Sequence, residues 1–273
     1  MTRSPISEFK EFEYQGWQQS ADRYHLSFGT LTNQTAEYLL NAVAAGKETK
    51  LLDIATGPGY IAHVAQQRGW NVTALDFSEA MLDKAKAVYP HIKFCQGDAE
   101  ALPFPDSEFT AAVMNFGILH LADPDKAICE AFRVISQGGK FAFSIWEKPE
   151  YSIGLKIIIQ AIENYGDKDI YLPPGPPFFR FSDDEECINA LKNAGFVNIS
   201  LQTIPLSWIL ADGDELFNAF YQGTARTGGL LRVQNINSLE NIRAAVNQET
   251  RKYMEGNKLV LPMAAKIASG EKN

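Results

Sequence analysis

The chain reads as an α/β protein built on a parallel sheet with helices on both faces. Three observations carry this reading. From Lys50 to Trp146, short apolar runs alternate with helically spaced segments across short connections. The first run empties into a glycine turn, Thr56-Gly57-Pro58-Gly59, immediately before a helical segment. Acids end three consecutive runs: Asp53, Asp76 and Asp98.

The first 46 residues read as helical and aromatic, with Phe9, Phe12, Tyr14, Trp17, Tyr24 and Phe28 crowded together. Thr35 to Ala45 places Leu39, Leu40 and Val43 on one side, and Gly46 is a good helix stop. Leu51–Ala55 is the first strand, and Tyr60–Arg68 is a helix ending at Gly69. Trp70–Leu75 is the second strand. Ser78 then caps a helix that runs to Val88, ahead of Pro90. Ile92–Cys95 and Phe109–Asn115 are the third and fourth strands. Asp123-Pro124 is a strong helix start, because an acidic cap precedes a proline whose missing N–H costs nothing there. That helix runs to Ser136, Gly138-Gly139 turns the chain, and Lys140–Trp146 is the fifth strand.

Beyond Trp146 the spacing predicts a helix over Ile153–Tyr165 and a stiff connector at Pro173-Pro174-Gly175-Pro176-Pro177. Ser182 should cap a helix to Ala194, stopped by Gly195. Phe196–Trp208 reads as strand, Asp214–Thr227 and Leu239–Met254 as helix, and Leu259–Ser269 as a last strand. The right-handed crossover rule gathers the C-terminal strand ends at one edge, where such sheets bind ligands.

Composition narrows the function. The chain has 273 residues with a net charge of −8, which argues against a protein built to coat nucleic acid. No apolar run reaches the ~20 residues of a membrane helix. The first residues lack a secretory apolar core. Cys95, Cys129 and Cys187 form neither a disulfide framework nor a zinc signature, and the four histidines lie far apart. The expectation is a cytoplasmic protein without a metal.

The glycine turn lets backbone approach a ligand, and the helix after it points free amides toward it. Gly57-Pro58-Gly59-Tyr60-Ile61-Ala62 also fits a loose dinucleotide fingerprint, and Asp76 stands where either cofactor class wants an acid on a ribose. Asp53 separates the two classes. It would repel a pyrophosphate, but it attracts the ammonium and sulfonium of S-adenosylmethionine (SAM), directly or through water. Asp98 can accept the exocyclic amine of adenine, with the Ala99 amide facing a ring nitrogen. Phe77 can lie on one adenine face and Leu102 on the other.

With these residues in place, the sequence resembles the class I SAM-dependent methyltransferases. More narrowly, it is similar to the branch that includes the ubiquinone/menaquinone-biosynthesis and related small-molecule enzymes. The likeness rests on Leu52-Asp53-Ile54-Ala55-Thr56-Gly57-Pro58-Gly59, Ala74-Leu75-Asp76-Phe77-Ser78 and Gly97-Asp98-Ala99-Glu100-Ala101-Leu102-Pro103-Phe104. Leu119-His120 and Glu130-Ala131-Phe132-Arg133-Val134-Ile135-Ser136-Gln137-Gly138-Gly139 extend it. It is strong over residues 35–146, and its one departure is Ala55 in place of the first loop glycine.

The resemblance implies a Rossmann-like, seven-stranded, mostly parallel sheet, with Phe196–Trp208 and Leu259–Ser269 as an antiparallel hairpin and a helical lid. The expected organisation is a lid over 1–46, a SAM-binding core over 47–146 and a continuation over 147–210. A helical insert over 211–256 and a final strand over 257–273 complete it. Asp53, Ala55, Thr56, Gly57, Gly59, Asp76, Phe77, Asp98, Ala99 and Asn115 are the expected cofactor residues.

Methyl transfer from a sulfonium is an in-line displacement that needs alignment and exclusion of water. An acidic acceptor also needs a base. His120, just past the fourth strand, is the first candidate, and His25 is the second. Trp17, Tyr24 and Trp146, with Tyr151, Phe178, Phe179 and Tyr221, are candidates to wall a flat apolar acceptor. Arg180, Arg226 and Arg232 are candidates to hold an anionic group on it. The expected partner is a small-molecule methyl acceptor, with a homodimer as the one assembly entertained. The competing readings are a SAM-binding module without turnover and an NAD(P)-dependent oxidoreductase, the latter disfavoured by Asp53 and Asp98.

Overall fold

A computed structural model describes residues 5–43, 46, 48–167 and 169–273. The end of the expected Thr35–Ala45 helix, Ala44 and Ala45, lies outside these residues.

Four parallel pairings build the centre. β1 (Lys50–Ile54) lies between β2 (Asn71–Asp76) and β4 (Phe109–Asn115). β3 (Lys93–Gln96) flanks β2, and β5 (Ile135–Trp146) flanks β4. The chain then adds β6 (Phe196–Leu210), the two-residue β7 (Met254–Glu255) and β8 (Lys258–Lys272). β8 runs antiparallel between β5 and β6, which gives the order β3-β2-β1-β4-β5-β8-β6, and β7 pairs with β8. The expected seven strands and their hairpin are all present, and β7 is an addition too short to show a pattern.

Adjacent residues of a strand face opposite ways, so each central strand feeds two cores. Leu51, Val72 and Val113 pack under α3 (Ala36–Val43), α4 (Tyr60–Gln67) and α7 (Ile153–Tyr165). Leu52, Leu75 and Met114 pack under α6 (Pro124–Val134) and α8 (Asp184–Ala194). β6 is an edge strand, and there the alternation is visible. Ile204, Leu206, Trp208 and Leu210 are buried while Pro205, Ser207 and Ile209 are exposed.

Two local expectations change. Asp183, not Ser182, caps α8, accepting from the Glu185 and Glu186 amides. Ser182 instead donates its hydroxyl to the Trp146 carbonyl at 2.8 Å. β5 also starts earlier than Lys140. Phe109 pairs with Ile135 and Ala111 with Lys140, so the glycine turn is a bulge within the strand, with Gly138 at φ +76°.

α1 (Pro5–Ser27) and α2 (Gly29–Thr32) precede α3, while α5 (Glu79–Val88) follows β2. α9 (Gly213–Gly223), α10 (Arg226–Arg232) and α11 (Ile236–Thr250) form the helical insert between β6 and β7. α1 packs against α9 and α10 of that insert and against α5 of the core. Its docking on α5 is specific: Gln18 Oε1 accepts from the Ser78 hydroxyl and the Ala80 amide. No helix among the described residues is long and apolar enough to cross a membrane.

Candidate functional site

The sheet order reverses between β1 and β4, where doubly wound sheets open a crevice at the strand ends. A cleft of about 1280 Å³, counting its open mouth, lies there.

One end is polar. β1 leads into Ala55, Thr56 and Gly57, all on the cavity wall. Gly57 adopts φ +54° with open space where a Cβ would stand, so backbone borders the cavity directly. Ala55 holds φ +54° as well, a strained angle for alanine. Asp76 lines the same corner and is nearly fully buried. Its Oδ2 accepts the Gly57 amide at 2.7 Å and its Oδ1 the Ser78 amide at 2.9 Å. The Phe77 amide also acts on this carboxylate, which still has acceptor capacity for a ligand hydroxyl. Burial pushes the carboxyl up to about 6. Phe77, Ala99 and Asp98 continue this wall.

Asp53 stands behind the turn and not on the cavity wall. Its Oδ2 accepts the Thr56 hydroxyl at 2.5 Å and the Ala62 amide at 3.1 Å. Its Oδ1 is buried and has no partner among the described residues, and burial pushes the acid up to about 7. Asp53, expected at the cofactor directly or through water, thus stands off the cavity wall and holds the loop and the start of α4. Gly59 is likewise off the wall. At φ +85° it caps α4, a conformation that suits glycine.

Asp98 reaches the cavity but already has a cation. Lys10 of α1 bridges Asp98 and Glu100, the latter at 3.0 Å. Glu100 also accepts the Ala122 and Asp123 amides, which ties the loop after β3 to the start of α6. Asn115 lines the cavity with its polar atoms engaged. Its Oδ1 accepts from the Thr35 and Ser144 hydroxyls at 2.7 and 2.5 Å, and its amide donates to the Thr32 carbonyl at 3.2 Å.

The other end is aromatic. Trp17, Tyr24, Phe28, Trp146, Phe178 and Phe220 line it. Tyr24 stacks on Phe28 and meets Trp17 edge-on. Its hydroxyl donates to Thr32 at 3.2 Å, and burial pushes the phenol up to about 12. Phe116, at a strained φ of +52°, lies stacked on Trp146.

His120 lines the cavity beside Trp17, the two rings edge-on with centroids 4.8 Å apart. Its Nδ1 is 3.0 Å from Glu13 Oε2 on α1. His25 is not on the wall; its Nδ1 is 2.6 Å from the Tyr60 hydroxyl.

Arg180 does not reach the cavity. Expected at the substrate, it pairs instead with Asp125 and Glu186 at the surface. Arg232 donates to the Tyr221 carbonyl, also away from the wall, and Tyr151 is 63% exposed. Phe179 and Tyr221 pack on the core without lining the cavity, and Leu102 is buried in the other core. Of the three arginines, only Arg226 lines the cavity. Lys10, Glu13 and Phe220 carry no local sequence signal, because a helix that folds back over a cleft looks like any amphipathic helix.

The buried, half-satisfied carboxylate of Asp76, the open backbone at Gly57 and the apolar walls at Phe77 and Ala99 fit an adenosine with a ribose diol. The chemistry of this donor set matches the cofactor the resemblance implies.

Comparison with known proteins agrees. A family described as "Methyltransferase domain" matches residues 52–143. A demethylmenaquinone methyltransferase of Renibacterium salmoninarum is 37% identical over 126 residues, 46% of this chain and 53% of that one. A ubiquinone/menaquinone biosynthesis C-methyltransferase of Roseobacter denitrificans is 31% identical over 189 residues, 62% of this chain and 75% of that one. The chain thus spans only about half the length of the first of these relatives. Among solved structures, a Haemonchus contortus phosphoethanolamine N-methyltransferase has a TM-score of 0.58 at 17% identity. That match covers 100% of this chain and 61% of the other, and it shows a shared fold.

Proposed function

This chain belongs to the class I SAM-dependent methyltransferases, and on that footing we propose that it methylates a small, flat, apolar acceptor. One observation carries the reading: a single cavity joins the Gly57–Asp76 corner to the aromatic chamber around Trp17 and Trp146. A cofactor at one end would then present its reactive group to an acceptor at the other. The relatives named above are quinone-pathway enzymes, and a quinone-type ring suits a chamber walled by aromatic faces.

Bound SAM supplies an electrophilic methyl group on a sulfonium. The chain supplies everything else. Asp76 would hold the ribose diol, Phe77 and Ala99 would lie against the base beside Asp98, and the 55–57 backbone would border the methionine end. α1, α9 and α10 close over the chamber and keep water from the transfer. His120, on the cavity wall beside Trp17, is placed to take a proton from the acceptor.

Calorimetric titration with SAM, S-adenosylhomocysteine and NADH tests the cofactor. Binding of the first two but not the third is expected, and tight NADH binding alone would reject the reading. Labelled SAM supplied with reduced naphthoquinones, phenols and amines tests turnover. Cofactor binding without label transfer to any acceptor supports a module without catalysis instead.

A further inference from the structure

One face of α1 covers the cavity, and its residues recur at helical spacing. Lys10 reaches Asp98 and Glu100, Tyr14 meets Phe77 edge-on, and Gln18 holds the start of α5. Glu13 and Trp17, one turn apart on this face, both touch His120. Glu13 is the unusual member. Its side chain is 0% exposed, and its Oε1 has no hydrogen-bond partner among the described residues. Burying a carboxylate with a vacant oxygen costs stability, so the helix keeps it against its own folding interest.

We propose that Glu13 is a positioning residue for His120 and the counter-charge for the imidazolium formed during turnover, which restricts the acceptor to one that gives up a proton. The inference rests on the methyltransferase reading above. An ionised carboxylate only accepts, so the hydrogen bond to Glu13 places the His120 proton on Nδ1. Nε2 then carries the lone pair. In the step, Nε2 takes the proton of an acceptor O–H or activated C–H. The electron pair left on the acceptor bonds to the methyl carbon. The methyl–sulfur bond breaks and its electrons stay on sulfur, so the sulfonium becomes a neutral thioether. One positive charge has thus moved from sulfur to the imidazole, beside the buried carboxylate. The proton passes to solvent once product leaves.

An amine present as its free base has a lone pair and needs no such base before transfer. The other charges around this pair are Asp76, which interacts electrostatically with His120, and Arg226 on α10, which interacts with Glu13. Neither is hydrogen-bonded to the ring, so Glu13 alone fixes the tautomer.

The test uses the full chain with ¹⁵N-labelled histidine, and His120→Asn assigns the His120 signal. Long-range ¹H–¹⁵N spectra should show the Nδ1–H tautomer at His120 in the wild type and lose that preference in Glu13→Leu, which removes the acceptor; Glu13→Gln, which keeps an acceptor oxygen, removes only the charge. The tautomer is read whether or not any acceptor turns over, and an Nε2–H tautomer in the wild type overturns the proposal. With SAM and 1,4-dihydroxynaphthalene, Glu13→Gln should lower kcat by roughly 10- to 100-fold, part of what a general base contributes, with SAM affinity unchanged. Full kcat in that variant, or turnover of a primary amine but not of the dihydroxynaphthalene, also overturns it. Failure of the wild type to bind SAM rejects the methyltransferase reading instead, and leaves the spectra to report on Glu13 and His120.

Discussion

The Gly57 amide donates to Asp76 Oδ2 at 2.7 Å, across 19 residues of sequence. This bond locks the turn after β1 to the end of β2, so one carboxylate both shapes the backbone cradle and lines the cavity.

Replacing Asp76 by alanine removes the clamp on the loop and, on the proposed function, the acceptor for the ribose. SAM binding should weaken by about 1.5–3 kcal/mol, the range for hydrogen bonds to a charged group. Calorimetry checks this, and unchanged affinity would take Asp76 out of the site.

Burial raises Asp76 to about 6 and Asp53 to about 7. Unfolded, both titrate near ~4. Between that value and the folded ones, the native state holds protons that the unfolded chain has released. The stability of the ligand-free protein should therefore fall as pH rises through this window. If Asp76 accepts the ribose hydroxyls as proposed, SAM affinity should tighten as pH rises and then level off above about 7. Titrations from about pH 5 to about pH 8 in two buffers measure the slope and the released proton. A flat profile would mean that neither acid changes charge on binding.

Thr56→Val keeps the shape of the side chain but removes the 2.5 Å donor to Asp53. The buried acid then retains only the Ala62 amide, with Oδ1 already unpaired. Urea unfolding should show a loss of about 1.5–3 kcal/mol. A loss under about 0.5 kcal/mol would show that Asp53 is satisfied in another way.

Arg180→Ala should leave SAM affinity and turnover as they are, because its guanidinium is held at the surface by Asp125 and Glu186. Exposed ion pairs contribute little, so urea unfolding should show a loss of no more than about 1 kcal/mol. A selective rise in KM for an anionic acceptor would return Arg180 to the substrate site.

The alternation of strands and helices, the glycine turn and the acids at successive strand ends were legible in the sequence. These features are local: periodicity and strand-end position follow from neighbours a few residues apart. Tertiary packing decided which of those residues reach the cavity. It put Asp53 behind its loop, gave Asp98 a lysine partner and drew Arg180 away. It also brought Glu13 to His120 across 107 residues of sequence. No local pattern encodes that contact, because it depends on where α1 docks, and docking is the sum of many side-chain contacts made only once the sheet has formed.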